Sequence, residues 1–124
     1  MYKMTNPNPV GKFTSDCVVR ALSIAMGKSW DEIYIDLCGI GFSMGDWGSS
    51  NLVWGEYLKQ HGYKRHVIPD TCPRCYTVRQ FCADNPKGTY ILATGSHVVA
   101  VIDGNYYDTW DSGNEVPIYY FKKG

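Results

Sequence analysis

Three residues whose types suit nucleophilic chemistry stand far apart in this chain, at places where folding can bring them together: Cys17, His97 and Asp108. A thiolate attacks, a histidine takes and returns a proton, and a carboxylate holds the imidazole in orientation. The second and third are the more tightly constrained. Asp103-Gly104 lies between two strand-like runs, the signature of a two-residue hairpin turn with positive φ at both central positions. That turn sets Ile102 opposite Asn105, Val99 opposite Asp108 and His97 opposite Trp110. His97 and Asp108 then share a face as diagonal neighbours roughly 7 to 8 Å apart at the backbone, within reach of an Asp-to-imidazole hydrogen bond. Asp111 falls on the other face, and Trp110 is placed to shield that bond from water. A three-residue loop would reverse the parity, so the turn carries the argument.

The nucleophile needs its own device for becoming acidic. Thr14, Ser15 and Asp16 all offer N-cap oxygens, and an almost wholly apolar run from Cys17 to Met26 follows, closed by Gly27. With Ser15 or Asp16 as the cap, Cys17 sits in the first turn, where free N–H groups and the positive end of the helix dipole stabilise a thiolate. Asp16 would oppose this unless capping turns its carboxylate aside. A helix with so little polar surface is central and buried, so only its N-terminus is open to chemistry.

The elements that position these residues fall into two halves. Asn6-Pro7-Asn8-Pro9 is an extended, turn-prone lead-in, and no helix starts before Gly11. Ser29 with Glu32 opens a second helix ending near Gly39, Gly39 to Ser50 reads as a glycine-rich loop, and Leu52 to Leu58 suggests a third helix stopping at Gly62. Tyr63 to Ile68 suits a short strand, and Thr77 with Gln80 opens a short helix to about Asp84. Thr89 to Thr94, Val98 to Ile102, Tyr106 to Thr109 and Val116 to Phe121 then read as antiparallel strands. Helices first and a sheet afterwards predict an α+β fold.

Composition bounds the function. The 124 residues, 44% apolar, suffice for one core, and the expectation is a single domain over 1–124. Twelve basic against twelve acidic residues give no net charge to attract nucleic acid, and no apolar stretch nears the roughly 20 residues of a bilayer span. Met1 to Val10 lacks a signal-peptide pattern, and five unevenly spaced cysteines do not resemble a disulfide framework, so a reducing, cytoplasmic compartment and a monomer are expected.

The ordered combination of a Cys opening a buried helix (TSDCVVRALSIA), a His before a late strand (SHVVAVIDG) and an Asp after the next hairpin (NYYDTWDSG) resembles a small papain-like cysteine peptidase. The leader-processing peptidase domains of bacteriocin transporters and compact peptidase-like proteins of bacteriophages are the families it is most similar to. The resemblance implies a papain-like fold with a helical N-terminal half and a C-terminal antiparallel sheet. It implies Cys17 as nucleophile, His97 as general base and acid, Asp108 as the residue orienting His97, a peptide or protein substrate, a bacterial or phage-infected host cytoplasm, and no cofactor. Papain-like enzymes place a Gln before the Cys as oxyanion donor, but no Gln precedes Gln60 here, so the donor would be Asn8 or Asn6 beside the Cys17 N–H. Position 18 is Val where relatives often have Gly. The same triad also serves acyl transfer to amines, as in transglutaminase-like proteins, and the same fold serves catalytically inactive binding modules.

Other residues invite weaker readings. Cys72-Pro73-Arg74-Cys75 with Cys82 and His61 or His66 could supply zinc ligands, but structural zinc sites pair two such knuckles, so no metal is assigned and a loop of reduced cysteines is expected. Trp47 and Trp54 read as packing residues rather than cleft walls, and Lys122-Lys123 as a solvated end.

Overall fold

The computed structural model describes residues 1–124 as an α+β fold, with four helices mostly N-terminal and a six-stranded mixed sheet mostly C-terminal. In chain order the elements are β1 (Tyr2–Met4), α1 (Cys17–Met26), α2 (Trp30–Met44), α3 (Asn51–Gln60), β2 (Tyr63–Val67), α4 (Val78–Asp84), β3 (Thr89–Ala93), β4 (Val98–Ile102), β5 (Asn105–Asp108) and β6 (Tyr119–Lys123). The strands lie in the order β1-β5-β4-β3-β6-β2. No helix is long and apolar enough to cross a membrane.

Local chemistry accounts for the helix ends. The Ser29 hydroxyl accepts the Glu32 N–H at 3.1 Å to start α2, and Thr77 and Gln80 form a reciprocal capping box at α4. Gly27 closes α1 in the left-handed conformation.

Alternation along the central strands divides the core. Ile91 and Ala93 of β3, with Val98 and Ala100 of β4, face α1, α2 and α3; Tyr90, Leu92, Val99 and Val101 face α4 with Phe81 and Cys82. A sheet covered on both faces needs apolar residues at successive positions, which is why β3 and β4 read as continuous apolar runs.

Three expectations are corrected. The sheet is mixed rather than antiparallel, because Tyr2–Met4 adds to the edge of β5 in parallel, Tyr2 opposite Tyr106 and Met4 opposite Asp108. Three residues without alternation carry no strand signal, so the sequence reading missed it. The stretch after Gly39 is not all loop: α2 continues to Met44, because Gly41 and Gly48 serve close packing. A Cβ on Gly41 would meet the Asp46 carbonyl oxygen at 2.6 Å, and one on Gly48 would meet the Leu37 backbone at 3.2 Å. The last strand starts at Tyr119 rather than Val116, after Pro117, which has no N–H to donate, and it includes Lys122 and Lys123, paired with Lys64 and Tyr63 of β2.

Candidate active site

All three residues lie at element ends, and the ends meet. Cys17 is the first residue of α1, His97 immediately precedes β4, and Asp108 closes β5. The hairpin turn forms as the sequence predicts, with Asp103 at φ 49° and Gly104 at φ 78°, and Ile102, Val101 and Ala100 pair with Asn105, Tyr106 and Tyr107. The ladder stops one pair short of Val99 and Asp108. At that free end, opposite the turn, His97 Nε2 lies 2.5 Å from Asp108 Oδ2. Asp111 is elsewhere, accepting from Tyr106, Arg79 and the Gly113 N–H.

Asp108 is buried and its acceptors are filled. Oδ2 also accepts from the Ser112 hydroxyl at 2.6 Å, while Oδ1 accepts from the Thr109 N–H at 2.8 Å and from Arg20 Nη2 at 3.4 Å. Burial would push this carboxyl up, but the hydrogen bonds from His97 and Ser112 and the His97 charge outweigh it and hold it below the usual range. Burial likewise works against a charged His97, yet Asp108 and Cys17 together raise it to about 9.

With Nε2 on Asp108, Nδ1 is the ring nitrogen left for the thiol. Cys17 is half-buried and faces the His97 ring and the Val98 N–H. Burial raises its pKa; the His97 hydrogen bond, the Val98 N–H, and the charges of His97 and Arg20 reverse this and leave the thiol more acidic than usual. The thiolate–imidazolium pair is therefore the populated form above the Cys17 pKa and below about 9. Trp110 lies against His97, tilted, with ring centroids 4.9 Å apart, beyond the end of the paired ladder.

A cleft of about 590 Å³ opens on the thiol. Phe13, Thr14 and Ser15 from the segment before α1, and Ser96, Thr109 and Trp110 from the sheet's loops, line it. Asn8 is not part of it. Its amide nitrogen donates to Asp16 at 3.3 Å and its oxygen accepts from the Val10 N–H at 3.0 Å, so the expected oxyanion role is corrected: the side chain braces the loop before α1. The N–H groups of Cys17, Val18 and Val19, by contrast, have no partner within the fold.

Asp16 is the N-cap residue, but its carboxylate makes no capping bond. It is turned instead onto Arg20, Trp30 Nε1 at 2.9 Å and Asn8. The sequence reading missed Arg20 and Ser112. Arg20 left a signal, a lone charge inside an apolar helix four residues after Asp16; Ser112 left none.

The remaining candidates separate. Trp54 is fully buried, stacked on Tyr119 at 6.1 Å, whereas Trp47 is 83% exposed and so does not pack as expected. Cys72 and Cys75 are joined in a disulfide, which corrects the expectation of reduced thiols there: a three-residue separation brings their Cα atoms to 4.5 Å, within bridging range. Cys82 lies on the buried face of α4, His61 Nδ1 is held 2.8 Å from the Tyr57 carbonyl oxygen, and His66 stacks on Tyr120.

No family model, curated protein or solved structure matches this chain. What the chain does must be read from the chemistry of the site itself.

Proposed function

We propose that the protein is a papain-like thiol hydrolase that cleaves a peptide or isopeptide bond through Cys17, His97 and Asp108. The observation that carries this reading is the meeting of three element ends at one cleft, with a thiol made acidic by a histidine that a buried carboxylate holds. In the cycle, the Cys17 thiolate attacks the scissile carbonyl, and the oxyanion forms beside the free Cys17 N–H at the helix N-terminus. His97 gives its Nδ1 proton to the leaving amine as the tetrahedral intermediate collapses to a thioester. Water then attacks, His97 takes its proton, and the acid product leaves as the thiolate is restored. Asp108 keeps its charge throughout and stabilises the imidazolium. An amine in place of water would give acyl transfer by the same steps, and product analysis with an added amine separates the two. The thiol chemistry asks for a reducing compartment such as the cytoplasm; the Cys72–Cys75 disulfide is the feature that speaks against it.

The test is the pH dependence of iodoacetamide labelling at Cys17, mapped by mass spectrometry in wild type and His97→Ala. Rapid labelling well below pH 8 that the substitution abolishes is expected. Labelling only near the ordinary thiol pKa of about 8.5, alike in both proteins, would end the hydrolase reading and favour a binding module.

A further inference from the structure

Arg20 is the one charged residue in α1, and its side chain is only 6% exposed. One guanidinium nitrogen donates to Asp16 and to the Thr14 carbonyl oxygen at 3.1 Å; the other reaches Asp108 Oδ1 at 3.4 Å. The acid adjoining the nucleophile and the acid holding His97 thus share one cation. We propose that Arg20 is the positioning residue of this site, a buried bridge that ties the helix carrying Cys17 to the strand carrying Asp108 and offsets the Asp16 charge that would otherwise oppose the thiolate. The proposal deepens the hydrolase reading and rests on it.

The geometry favours a guanidinium because its planar fork serves two carboxylates at once. The charged and titratable groups around the thiol are few: Asp16 at the N-cap of α1, Arg20 within it, His97 ahead of β4, Asp108 from β5, and Tyr2 of β1, whose hydroxyl donates to the Asp108 carbonyl oxygen at 3.2 Å. Asp16 has only neutral donors besides Arg20, namely Trp30 and Asn8. Without Arg20 its carboxylate would sit buried beside Cys17 with nothing nearby of opposite sign except the imidazolium that the thiolate needs.

The midpoint of Cys17 labelling with iodoacetamide reads this directly. Arg20→Gln, which keeps a donor and loses the charge, is expected to raise the midpoint by about one pH unit, a roughly tenfold loss of labelling rate near neutral pH. Arg20→Lys keeps the charge without the fork, so its midpoint should lie closer to wild type than that of Arg20→Gln. Adding Asp16→Asn to Arg20→Gln removes both members of the pair and should return the midpoint toward wild type, and this double variant is expected to fold even where Arg20→Gln alone does not. An unchanged midpoint in Arg20→Gln, equal shifts in the Gln and Lys variants, or no rescue by Asp16→Asn would each overturn the proposal, since a packing role would not respond to charge. Failure of the hydrolase reading shows separately, as a Cys17 midpoint indifferent to His97→Ala.

Discussion

Cys17 and Cys82 sit on helices packed against opposite faces of one sheet, and the fold treats them in opposite ways. Burial pushes both thiols up. At Cys82, inside α4 and among Phe81, Tyr90 and Leu92, the charges of the chain's amino terminus and Arg79 are too weak to reverse that, and the pKa ends raised. At Cys17, the first residue of its helix, the His97 ring, the Val98 N–H and Arg20 reverse it. The lesson is that a reactive cysteine is made by what remains polar around it, not by exposure.

Removing the carboxylate should break this contrast most sharply. Asp108→Asn withdraws the charge that holds His97 and leaves Arg20 with one carboxylate, Asp16, so hydrolysis should fall about a hundredfold or more and urea denaturation should show a loss of about 3 kcal/mol. Activity within twofold of wild type would show that Asp108 does not orient the histidine.

The pH dependence of stability sharpens the same contrast. His97 is raised from 6.5 to about 9 in the folded protein, so alone it stabilises fully below 6.5 and its contribution is lost as pH rises through 9. Cys17 is lowered from 9.0, so alone it contributes above that value and loses its contribution as pH falls through the folded pKa. Above the folded Cys17 pKa, and within 6.5 to 9, the folded pair and the unfolded pair each hold one proton, and their opposing slopes cancel. Wild-type stability should therefore be nearly flat across that window in denaturant titrations. In Cys17→Ser only the histidine remains, and stability should fall with rising pH by up to about 1.4 kcal/mol per unit. A parallel pH dependence in the two proteins would mean that no ion pair forms.

The smallest effect belongs to the other cysteine. Cys82→Ala should cost about 1 kcal/mol in thermal or denaturant unfolding through a small cavity, and leave the Cys17 labelling midpoint unchanged. A shifted midpoint would show that the two faces of the sheet are electrically coupled.

Much of this site was legible because local rules fix it. Asp103-Gly104 specifies one turn geometry, the turn specifies the register, and the register brings His97 and Asp108 together while sending Asp111 away. The run of Thr14, Ser15 and Asp16 before an apolar stretch places Cys17 at a helix N-terminus. The rest depends on partners distant in the chain. Asn8 resembled an oxyanion donor in sequence, yet its amide is occupied by Asp16; α2 outlasted its glycines because the following loop folds back on Gly41; and β1 exists only because β5 offers an edge to it.

The sequence by itself determined that Cys17, His97 and Asp108 stand at element ends, since caps and turns act over a few residues. Only the tertiary structure decided that those ends coincide, that Arg20 joins two carboxylates 92 positions apart (Asp16 and Asp108), and that the Cys82 thiol is pushed up while the Cys17 thiol is made more acidic. The reason is physical: hydrogen-bond geometry is local, whereas desolvation and charge are set by everything that packs around a group.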